Sequence, residues 1–384
     1  MPEVHRALLH EIVSGVVRQQ GYLDWVLSHF LRKPVRTDIH HLLRIGLYQI
    51  LFMKKGHHHV VNETVEFVKR TNSQSLASFV NAVLRQCIRE HEGLVPPDDP
   101  VKRLAVLFSF PEWLVRRWLA RFGADTEALL AACNKRPAFS LFVDERRIGR
   151  DALIDHLATK GVQARPGGVP GSVRVDRIAP LLADELFLEG SIQVQDEASQ
   201  IAGLAVGVAP GEIVLDACAG LGTKSRQMRS LAPGAWIVVM DVDVRKVARA
   251  GTDLPVAADA ARPPFREGLF DAVLLDAPCS SLGVIRKHPE IKWRRREKDI
   301  ASFGRRQIGL LRSLWDIVRP GGRLVYSVCS FEPEETVEVI EAFARERKFV
   351  LEKAPSFLFN KESFLSLPHT TGMDGFFVAR LMKP

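Results

Sequence analysis

Three short apolar segments in the second half of the chain each run directly into polar residues. They are Ile213–Leu215 before Asp216, Ala272–Leu275 before Asp276, and Leu324–Tyr326 before Ser327. Apolar runs of this length, alternating with helical patterns, are typical of parallel strands that helices cover on both faces. Because the carboxyl ends of such strands meet at one edge of the sheet, the three polar segments should border a common crevice. The sequence therefore predicts an open α/β fold with its functional site at that edge.

Two cysteines follow these strands within a few residues. Cys279 comes shortly after Asp276, and Cys329 comes shortly after Ser327. A thiolate is the strongest side-chain nucleophile, so a thiol at this edge indicates covalent catalysis. The spacing alone equally permits two small buried residues at strand ends. The 5 cysteines of the chain are scattered and form no C-x-x-C pair, which argues against a zinc site or a disulfide framework.

The chain divides by pattern into three regions. Residues 1–130 are predicted to be all helix, since apolar residues such as those from Leu76 to Ile88 recur at three- and four-residue spacing. Residues 131–205 predict a small mixed α/β domain, and residues 206–384 alternate strands with helices, which predicts a mainly parallel sheet. The last strand, 376–381, has no crossover after it and is expected to be antiparallel.

Local signals predict three further details of the elements. Asn62 should begin the fourth helix, which leaves His57–His59 in an exposed loop without the partners of a metal site. Pro333 should open a helix that runs to about Arg347. Phe349–Leu351 is then expected to pair with the last strand.

Length and composition limit the class of protein. A chain of 384 residues with 46% hydrophobic and 26% charged residues fits a globular protein of two or three domains. No apolar stretch reaches the ~20 residues that span a bilayer, and Met1–Glu11 has no signal-peptide pattern. We therefore expect a cytoplasmic protein with no membrane partner. The net charge of +8 favours a polyanionic partner such as nucleic acid.

The glycine-bearing segment Gly220–Ser225 joins a predicted strand to a predicted helix, as in nucleotide-binding turns. It lacks the third glycine of the dinucleotide fingerprint and the contiguous Gly-Lys-Ser of a P-loop. On spacing alone, a dinucleotide, an ATP-type ligand and a plain tight turn remain alternatives to S-adenosylmethionine. S-adenosylmethionine needs one acid near its ammonium, which Asp216 would supply, and a second acid at its ribose. Asp241 is the first choice for the ribose, Asp243 is its rival, and Asp259 is placed to contact the adenine.

The cysteines suit one particular methyl transfer. C5 of cytosine is a poor nucleophile toward a methyl sulfonium, but addition of a thiolate to C6 turns the ring into an enamine-like carbon nucleophile. This chemistry requires a reactive cysteine, a partner for N3, and a base that later removes the C5 proton. Asp276, Cys279 and Cys329 would meet these needs if the fold brings them to one crevice.

Five segments in this order resemble the RNA cytosine-C5 methyltransferases, and the third resembles their bacterial Fmu/Sun type. They are Asp216–Lys224, Asp276–Ser280, Gly283–Trp293, Val328–Ser330 and Asp374–Phe377. Gly46–Gln49 and Asn81–Gln86 resemble the NusB-like RNA-binding domain fused to that type. The resemblance implies an all-α NusB-like domain at 1–130, a small α/β linker domain at 131–205 and a Rossmann-type methyltransferase domain at 206–384. It also implies S-adenosylmethionine as cofactor and C5 of a cytosine in small-subunit (16S) ribosomal RNA as substrate.

The resemblance also assigns roles to residues of this chain. It makes Cys329 the nucleophile, Cys279 the cysteine of product release, and Asp276 the acid that contacts the base. The implied cofactor-binding residues are Cys218, Ala219, Gly220, Leu221, Gly222, Thr223, Lys224, Asp241, Asp259 and Asp276.

Three features depart from the family pattern. Gly220-Leu221 stands where the family has Ala-Pro, which predicts a more flexible loop with the same backbone access. Val328 replaces a Thr, which removes one hydroxyl near the nucleophile. The chain also begins close to the second NusB helix, so the first helix is expected to be absent.

The expected RNA partner is small-subunit ribosomal RNA, free or partly assembled, bound by a monomer. Between Arg286 and Arg306 there are nine basic and three acidic residues, with Trp293 and Phe303 interleaved, which predicts contacts with phosphates and a splayed base. Alternative interpretations are the same chemistry on transfer RNA or large-subunit RNA, and a non-catalytic NusB-like RNA-binding module. A DNA C5-methyltransferase is a further alternative, although its usual Gln after Pro-Cys is Ser280 here.

Overall fold

The computed structural model of the protein describes residues 3–136, 138–251, 254–353 and 361–384. The chain forms two compact units, one made of 1–135 with 287–295 and the other of 136–286 with 296–384. The domain boundaries expected at residues 130 and 205 stay predictions.

Helices and strands are numbered in chain order. The helices are α1 (Glu3–Arg18), α2 (Gln20–Phe30), α3 (Thr37–Leu51), α4 (His57–Thr71), α5 (Gln74–Glu90), α6 (Pro100–Leu107), α7 (Glu112–Phe122), α8 (Thr126–Asn134), α9 (Arg150–Thr159), α10 (Glu185–Leu188), α11 (Glu197–Val206), α12 (Thr223–Leu231), α13 (Val244–Arg249), α14 (Ile291–Arg294), α15 (Glu297–Trp315), α16 (Val337–Ala344) and α17 (Pro368–Thr371). The strands are β1 (Phe139–Val143), β2 (Ala164–Pro166), β3 (Ser172–Val175), β4 (Ile192–Val194), β5 (Ile213–Asp216), β6 (Trp236–Asp241), β7 (Pro255–Ala257), β8 (Phe270–Asp276), β9 (Val318–Val328), β10 (Val350–Leu351), β11 (Ser363–Ser366) and β12 (Phe376–Met382).

The helical unit is held together by the apolar stripes that the sequence predicts. Val80, Leu84 and Cys87 of α5 are fully buried, in one core with Leu43 and Leu47 of α3. Their three- and four-residue spacing places them on one face of the helix. Burial raises the pKa of the Cys87 thiol to about 12, as expected for an inert core cysteine.

The prediction that Asn62 begins the fourth helix is wrong. α4 begins at His57, with Gly56 at its N-cap position, so His57–His59 form its exposed first turn rather than a loop. The helix has no apolar residue before Val60, and the periodic pattern therefore starts one turn after the backbone does. Among the described residues, no group of three or more His, Cys, Asp or Glu could hold a metal ion. None of the described helices has the length and apolar character needed to cross a membrane.

A buried lysine packs the segment 287–295 into the helical unit. The Lys292 side chain is 0% exposed. Its Nζ donates to the Arg18 carbonyl at 2.8 Å and to Asn134 Oδ1 at 3.1 Å, and it lies 4.0 Å from the centre of the Phe110 ring. Burial lowers the pKa of Lys292 well below its usual range. These contacts offset part of the cost of burying an amine.

The same packing restricts the RNA contacts predicted for the basic run 286–306. Besides Lys292, Arg286 is buried, where it pairs with Asp374 at 2.5 Å. Trp293 Nε1 donates to the Val17 carbonyl at 2.8 Å. The prediction that the whole run faces RNA is therefore too broad, because these groups serve the fold. The exposed basic residues of the run are Arg294, Arg296, Lys298, Arg305 and Arg306.

The second unit contains an 8-stranded sheet within the described part of the chain, in the order β10-β12-β9-β8-β5-β6-β7, with β11 paired to β12. The pairs from β9 to β7 are parallel, and β12 runs antiparallel to β9. The antiparallel last strand is thereby confirmed, and so is its pairing with residues 350–351. The carboxyl ends of β5, β6, β8 and β9 lie at one edge, as the sequence predicts.

Both faces of this sheet are buried, which explains the continuous apolar runs. Leu215, Val273 and Tyr326 belong to a core that includes residues of α15 and α16. Val214 and Val325 belong to the opposite core, which includes residues of α11. Because successive side chains of a strand point to opposite faces, both faces need apolar residues. The fold of this unit is Rossmann-like.

A second, smaller sheet precedes the large one in the chain. It contains 4 antiparallel strands in the order β2-β3-β1-β4. Leu153 and Leu157 of α9 share a core with Leu141 and Val173 on this sheet. The mixed α/β character predicted for this part of the chain is confirmed.

The helix predicted from Pro333 to about Arg347 is interrupted. Pro333–Glu335 form a single 3-10 turn, Thr336 has a non-helical backbone with φ −123° and ψ −101°, and α16 starts at Val337. Thr336 Oγ1 donates to the Glu332 carbonyl at 2.9 Å, which gives the break a local hydrogen bond. Glu335, at the end of the turn, is fully buried.

Lys292→Ala should lower the free energy of unfolding by about 2–4 kcal/mol, because it leaves a cavity and two unpaired acceptors. Urea unfolding of the full chain, with hydrogen exchange of the peptides around Arg18 and Asn134, measures this loss. The matched control is Lys298→Ala, which removes an exposed lysine and should change stability by less than about 0.5 kcal/mol. Equal effects in the two variants would show that the buried Lys292 side chain contributes no net stability.

Candidate active site

A cavity of about 320 Å³ opens at the carboxyl edge of the large sheet. Seven residues predicted from the sequence line it: Cys218, Gly220, Asp241, Asp259, Asp276, Cys279 and Cys329. The other predicted cofactor residues, Ala219, Leu221, Gly222, Thr223 and Lys224, form the adjoining turn and helix start without lining the cavity. The fold thus brings both cysteines and three of the predicted acids to one space.

The glycine turn between β5 and α12 is shaped by two left-handed residues. Gly220 has φ 57° and Gly222 has φ 72°, a region that side chains disfavour. A Cβ on Gly222 would also lie 2.9 Å from the Ala250 Cβ, whereas one on Gly220 would meet nothing within 4 Å. Gly222 therefore allows the close packing of the turn, and Gly220 leaves its backbone open to the cavity.

Asp241, at the end of β6, braces this turn. Its Oδ2 accepts from the Gly220 N–H at 2.9 Å and its Oδ1 accepts from the Asp243 N–H at 2.9 Å. Asp243 instead caps α13 by accepting from the Arg245 N–H at 3.0 Å, and it does not line the cavity. Asp259 lines the cavity from the loop after β7. The geometry therefore favours Asp241 over Asp243 as the acid that faces a ligand.

Asp216 is buried behind the cavity, between β5 and α12. Its Oδ2 accepts from the Ser225 hydroxyl at 2.6 Å, but its Oδ1 has no hydrogen-bond partner among the described residues. Burial raises the pKa of Asp216 to about 6. A buried carboxylate oxygen of this kind is costly unless a cation approaches it. The methionine ammonium of S-adenosylmethionine is such a cation, and Asp241 can accept from ribose hydroxyls, so these two acceptors fit the cofactor.

The two cysteines that follow β8 and β9 are in direct contact. The Cys279 and Cys329 sulfurs lie 3.1 Å apart, and Ser281 Oγ lies 3.6 Å from the Cys329 sulfur. The hydrogen bond from Cys279 lowers the pKa of Cys329, although burial opposes this change. The same hydrogen bond, together with burial, raises the pKa of Cys279. Burial raises the pKa of Cys218, the third thiol at the cavity, to about 12. Cys329 is therefore the more acidic thiol of the pair, and Cys279 is the less acidic one.

An ion pair between Lys224 and Asp276 acts electrostatically on Cys329. Lys224 Nζ lies 2.5 Å from Asp276 Oδ2, and Ser327 Oγ donates to Asp276 Oδ1 at 2.9 Å. Burial disfavours the charge on Lys224, but the attraction of Asp276 outweighs it and raises the pKa of Lys224. A protonated lysine therefore lies next to the acid that the sequence predicts to contact the base.

Sequence reasoning missed several residues at this cavity. Ser281 has φ 64°, an unusual conformation for a side-chain-bearing residue, and only the folded backbone reveals it. Arg306 and Leu310 of α15 also line the cavity; the sequence predicts RNA contacts for Arg306, but it does not place either residue at this cavity. The remaining unpredicted lining residues are Ala217, Val242, Lys246, Ala258, Ala260, Ala277 and Pro278. For Ala277 and Pro278, the only sequence signal of a place at the cavity is that they directly precede Cys279.

Similarity to known proteins covers the whole chain. Family models match in succession: the NusB family at 1–89, the ferredoxin-like domain of RsmF/B-like methyltransferases at 110–181, and 16S rRNA methyltransferase RsmB/F at 204–382. Ribosomal RNA small subunit methyltransferase B of Salmonella typhi is 34% identical over 400 residues, covering 98% of this chain and 90% of that protein. The chain belongs to the RsmB/F family of 16S rRNA methyltransferases. The predicted resemblance is confirmed.

Two solved structures share the fold of this chain. PH0851 is 28% identical with a TM-score of 0.83, and the match covers 100% of this chain and 91% of that one. NSun6 from Pyrococcus horikoshii, solved with SFG, is 19% identical with a TM-score of 0.60 over 72% of this chain and 99% of that one, which shows a shared fold. This RsmB/F chain thus combines a NusB-like domain, a ferredoxin-like domain and a Rossmann-like methyltransferase domain. Its cofactor is S-adenosylmethionine.

Asp241→Ala should weaken S-adenosylmethionine binding by roughly 1–3 kcal/mol, because the ribose loses an acceptor and the Gly220 amide loses its brace. Isothermal titration calorimetry of the full chain measures the change. Asp243→Ala, which removes an acid that only caps α13, is the matched control and should leave the affinity nearly unchanged. A larger effect of Asp243→Ala would show that the ribose contact belongs to Asp243 and not to Asp241.

Proposed function

We propose that the protein transfers a methyl group from S-adenosylmethionine to C5 of a cytosine in 16S ribosomal RNA, through a covalent bond between Cys329 and C6. The observation that carries this proposal is the pair of thiols 3.1 Å apart, whose pKa values shift in opposite directions. The names of the family and of its Salmonella typhi relative support the RNA substrate. A non-catalytic RNA-binding protein would not need this pair of thiols.

The first step uses the thiolate. The Cys329 sulfur adds to C6 of the cytosine, the C5–C6 double bond opens, and negative charge spreads over the ring toward N3. The Asp276–Lys224 pair is placed to contact the ring and to stabilise that charge. When bound, S-adenosylmethionine supplies the methyl group that C5 then takes. The turn residues 218–224, Asp241 and Asp259 would hold it against the cavity wall.

The second thiol completes the turnover. After the Cys329 sulfur is bonded to C6 it carries no charge, so the contact that raises the pKa of Cys279 is weakened and Cys279 can give its proton to solvent. The Cys279 thiolate then removes the C5 proton, the C5–C6 double bond forms again, and the bond from C6 to the Cys329 sulfur breaks. A reversed assignment, with Cys279 as nucleophile as in DNA enzymes, would require the thiol with the raised pKa to attack.

The RNA is proposed to approach along the exposed basic residues of the run 286–306. Arg306 is exposed and also lines the cavity, so it can neutralise a phosphate next to the target nucleotide. Arg296, Lys298 and Arg305 extend this charge along α15 and its start. We propose that a monomer acts on free or partly assembled small-subunit RNA. Mapping 5-methylcytosine in ribosomal and transfer RNA of a deletion strain separates this target from transfer RNA and large-subunit RNA.

The variants Cys329→Ala and Cys279→Ala should distinguish the roles of the two thiols. Cys329→Ala should abolish methylation and any covalent RNA adduct, because no group remains to add to C6. Cys279→Ala should still allow addition and methyl transfer but slow the release step, so that a protein–RNA adduct accumulates. Denaturing gel electrophoresis after incubation with 16S RNA and cofactor detects the adduct. Adduct with Cys329→Ala and none with Cys279→Ala would reverse the two roles.

Naked 16S RNA should be methylated faster than assembled small subunits. A target base must leave its stack to enter the cavity, at a cost of a few kcal/mol that a protein-bound helix would raise. Incorporation of labelled methyl groups into the two substrates, at equal concentration and salt, measures the preference. Equal rates would contradict the preference for unassembled RNA while leaving the cysteine chemistry untouched.

A further inference from the structure

A buried carboxylate bridges the two cysteine loops. Glu335 is 0% exposed, and its Oε1 accepts from the Ser280 N–H at 2.7 Å. Its Oε2 accepts from the Ser280 hydroxyl at 2.5 Å and from the Ser330 hydroxyl at 2.6 Å. Ser280 directly follows Cys279, and Ser330 directly follows Cys329. One side chain therefore holds the residue next to each reacting thiol.

The surrounding elements fix Glu335 in turn. The backbone break at Thr336 ends the 3-10 turn, and the Glu335 carbonyl accepts from the Tyr326 hydroxyl of β9 at 2.6 Å. Gln307 of α15 donates to Glu335 Oε1 at 3.3 Å and to the Pro278 carbonyl at 3.0 Å. The carboxylate is therefore tied to the strand before Cys329, to the loop that contains Cys279, and to a helix of the core.

A fully buried carboxylate without such donors would be strongly destabilising. Here the donors supply specific directions, because each hydrogen bond needs its partner within a few tenths of an ångström of its present place. A shift of either serine would move the neighbouring sulfur with it. Burial of the Glu335 carboxylate thus lowers stability, but its hydrogen bonds fix the distance between the Cys279 and Cys329 loops, which are far apart in sequence.

We propose that Glu335 is a positioning residue for methyl transfer, which holds the loops of Cys279 and Cys329 so that their sulfurs stay in contact. This inference rests on the proposed function, since it assigns the contact a role in that reaction. Glu335 touches neither thiol; it acts through Ser280 and Ser330. Its negative charge also adds to the raised pKa of Cys279, after the contribution of Cys329 and of burial.

The test uses Glu335→Ala, Glu335→Gln and Ser330→Ala in the full chain. Glu335→Ala should slow single-turnover methylation by roughly 100-fold, as a displacement of about 1 Å can do. Glu335→Gln keeps an acceptor and a donor and should recover most of that loss. Glu338→Ala, which removes an exposed acid at the start of α16, is the matched control and should react at the wild-type rate.

A second readout follows the thiols directly. The pH dependence of Cys329 alkylation by iodoacetamide, resolved by peptide mass spectrometry, reports its thiolate fraction. Loss of the contact with Cys279 should move the midpoint to higher pH in Glu335→Ala but not in Glu338→Ala. Asp276, Lys224 and Cys279 are the other titratable groups facing Cys329, and none of them is altered. Unchanged S-adenosylmethionine affinity in calorimetry shows that each variant is folded.

The bridge predicts strong coupling between its members. Ser330→Ala should slow methylation in the wild-type background. In the Glu335→Ala background it should slow the reaction little further, because the hydrogen bond between Ser330 and Glu335 is already lost. Additive losses, or an unshifted alkylation midpoint with wild-type rates in Glu335→Ala, would overturn the positioning role, while adduct formation by Cys279→Ala upholds the proposed function. Should Glu335→Ala fail to fold, Glu335→Gln and Ser330→Ala carry the same comparison. Absence of an adduct in Cys279→Ala incubated with 16S RNA and cofactor would overturn the proposed function itself.

Discussion

The parallel pairing of β8 with β9 is the constraint on which the candidate site depends. This register places Asp276 opposite Ser327, and the Ala277 N–H donates to the Ser327 carbonyl at 2.8 Å. Both chains then leave the sheet at the same level, so the loops with Cys279 and Cys329 meet above it. A slip of one residue would turn every side chain of a strand to the opposite face and separate the two thiols.

Buried and half-buried charged side chains are concentrated beside this pairing, and each has a different kind of partner. Asp276 pairs with Lys224, and Glu335 takes hydroxyl and amide donors from the cysteine loops. Asp216 keeps one oxygen without a partner among the described residues, which suits a cationic ligand group. Burial raises the pKa of Asp216 and of Glu335, so both acids cost stability at neutral pH. Such costs are typical of sites that must be preorganised for a ligand or a reaction.

The elements predicted well are those in which a local pattern has one physical solution. Strands such as β5 and β8 are apolar throughout because helices cover both faces, and the α5 stripe repeats because one helix face is buried. The wrong predictions concern helix boundaries, where the helical backbone begins before the apolar pattern or breaks within it. α4 starts a turn before its first apolar residue, and the helix expected from Pro333 breaks at Thr336. Neither boundary has a local signal strong enough to mark it.

By itself the sequence determined the class of fold, the edge of the sheet at which the site lies, and the residues that chemistry would require there. Those conclusions follow from periodicity and from the few side chains able to act as nucleophile or acid. Only the tertiary structure decided which groups are free to act. Lys292 sits in a basic run, yet packing buries it in the helical unit. Cys329 differs from Cys218 and Cys279 in the direction of its pKa shift because of neighbours that come from distant segments, and no local pattern records such neighbours.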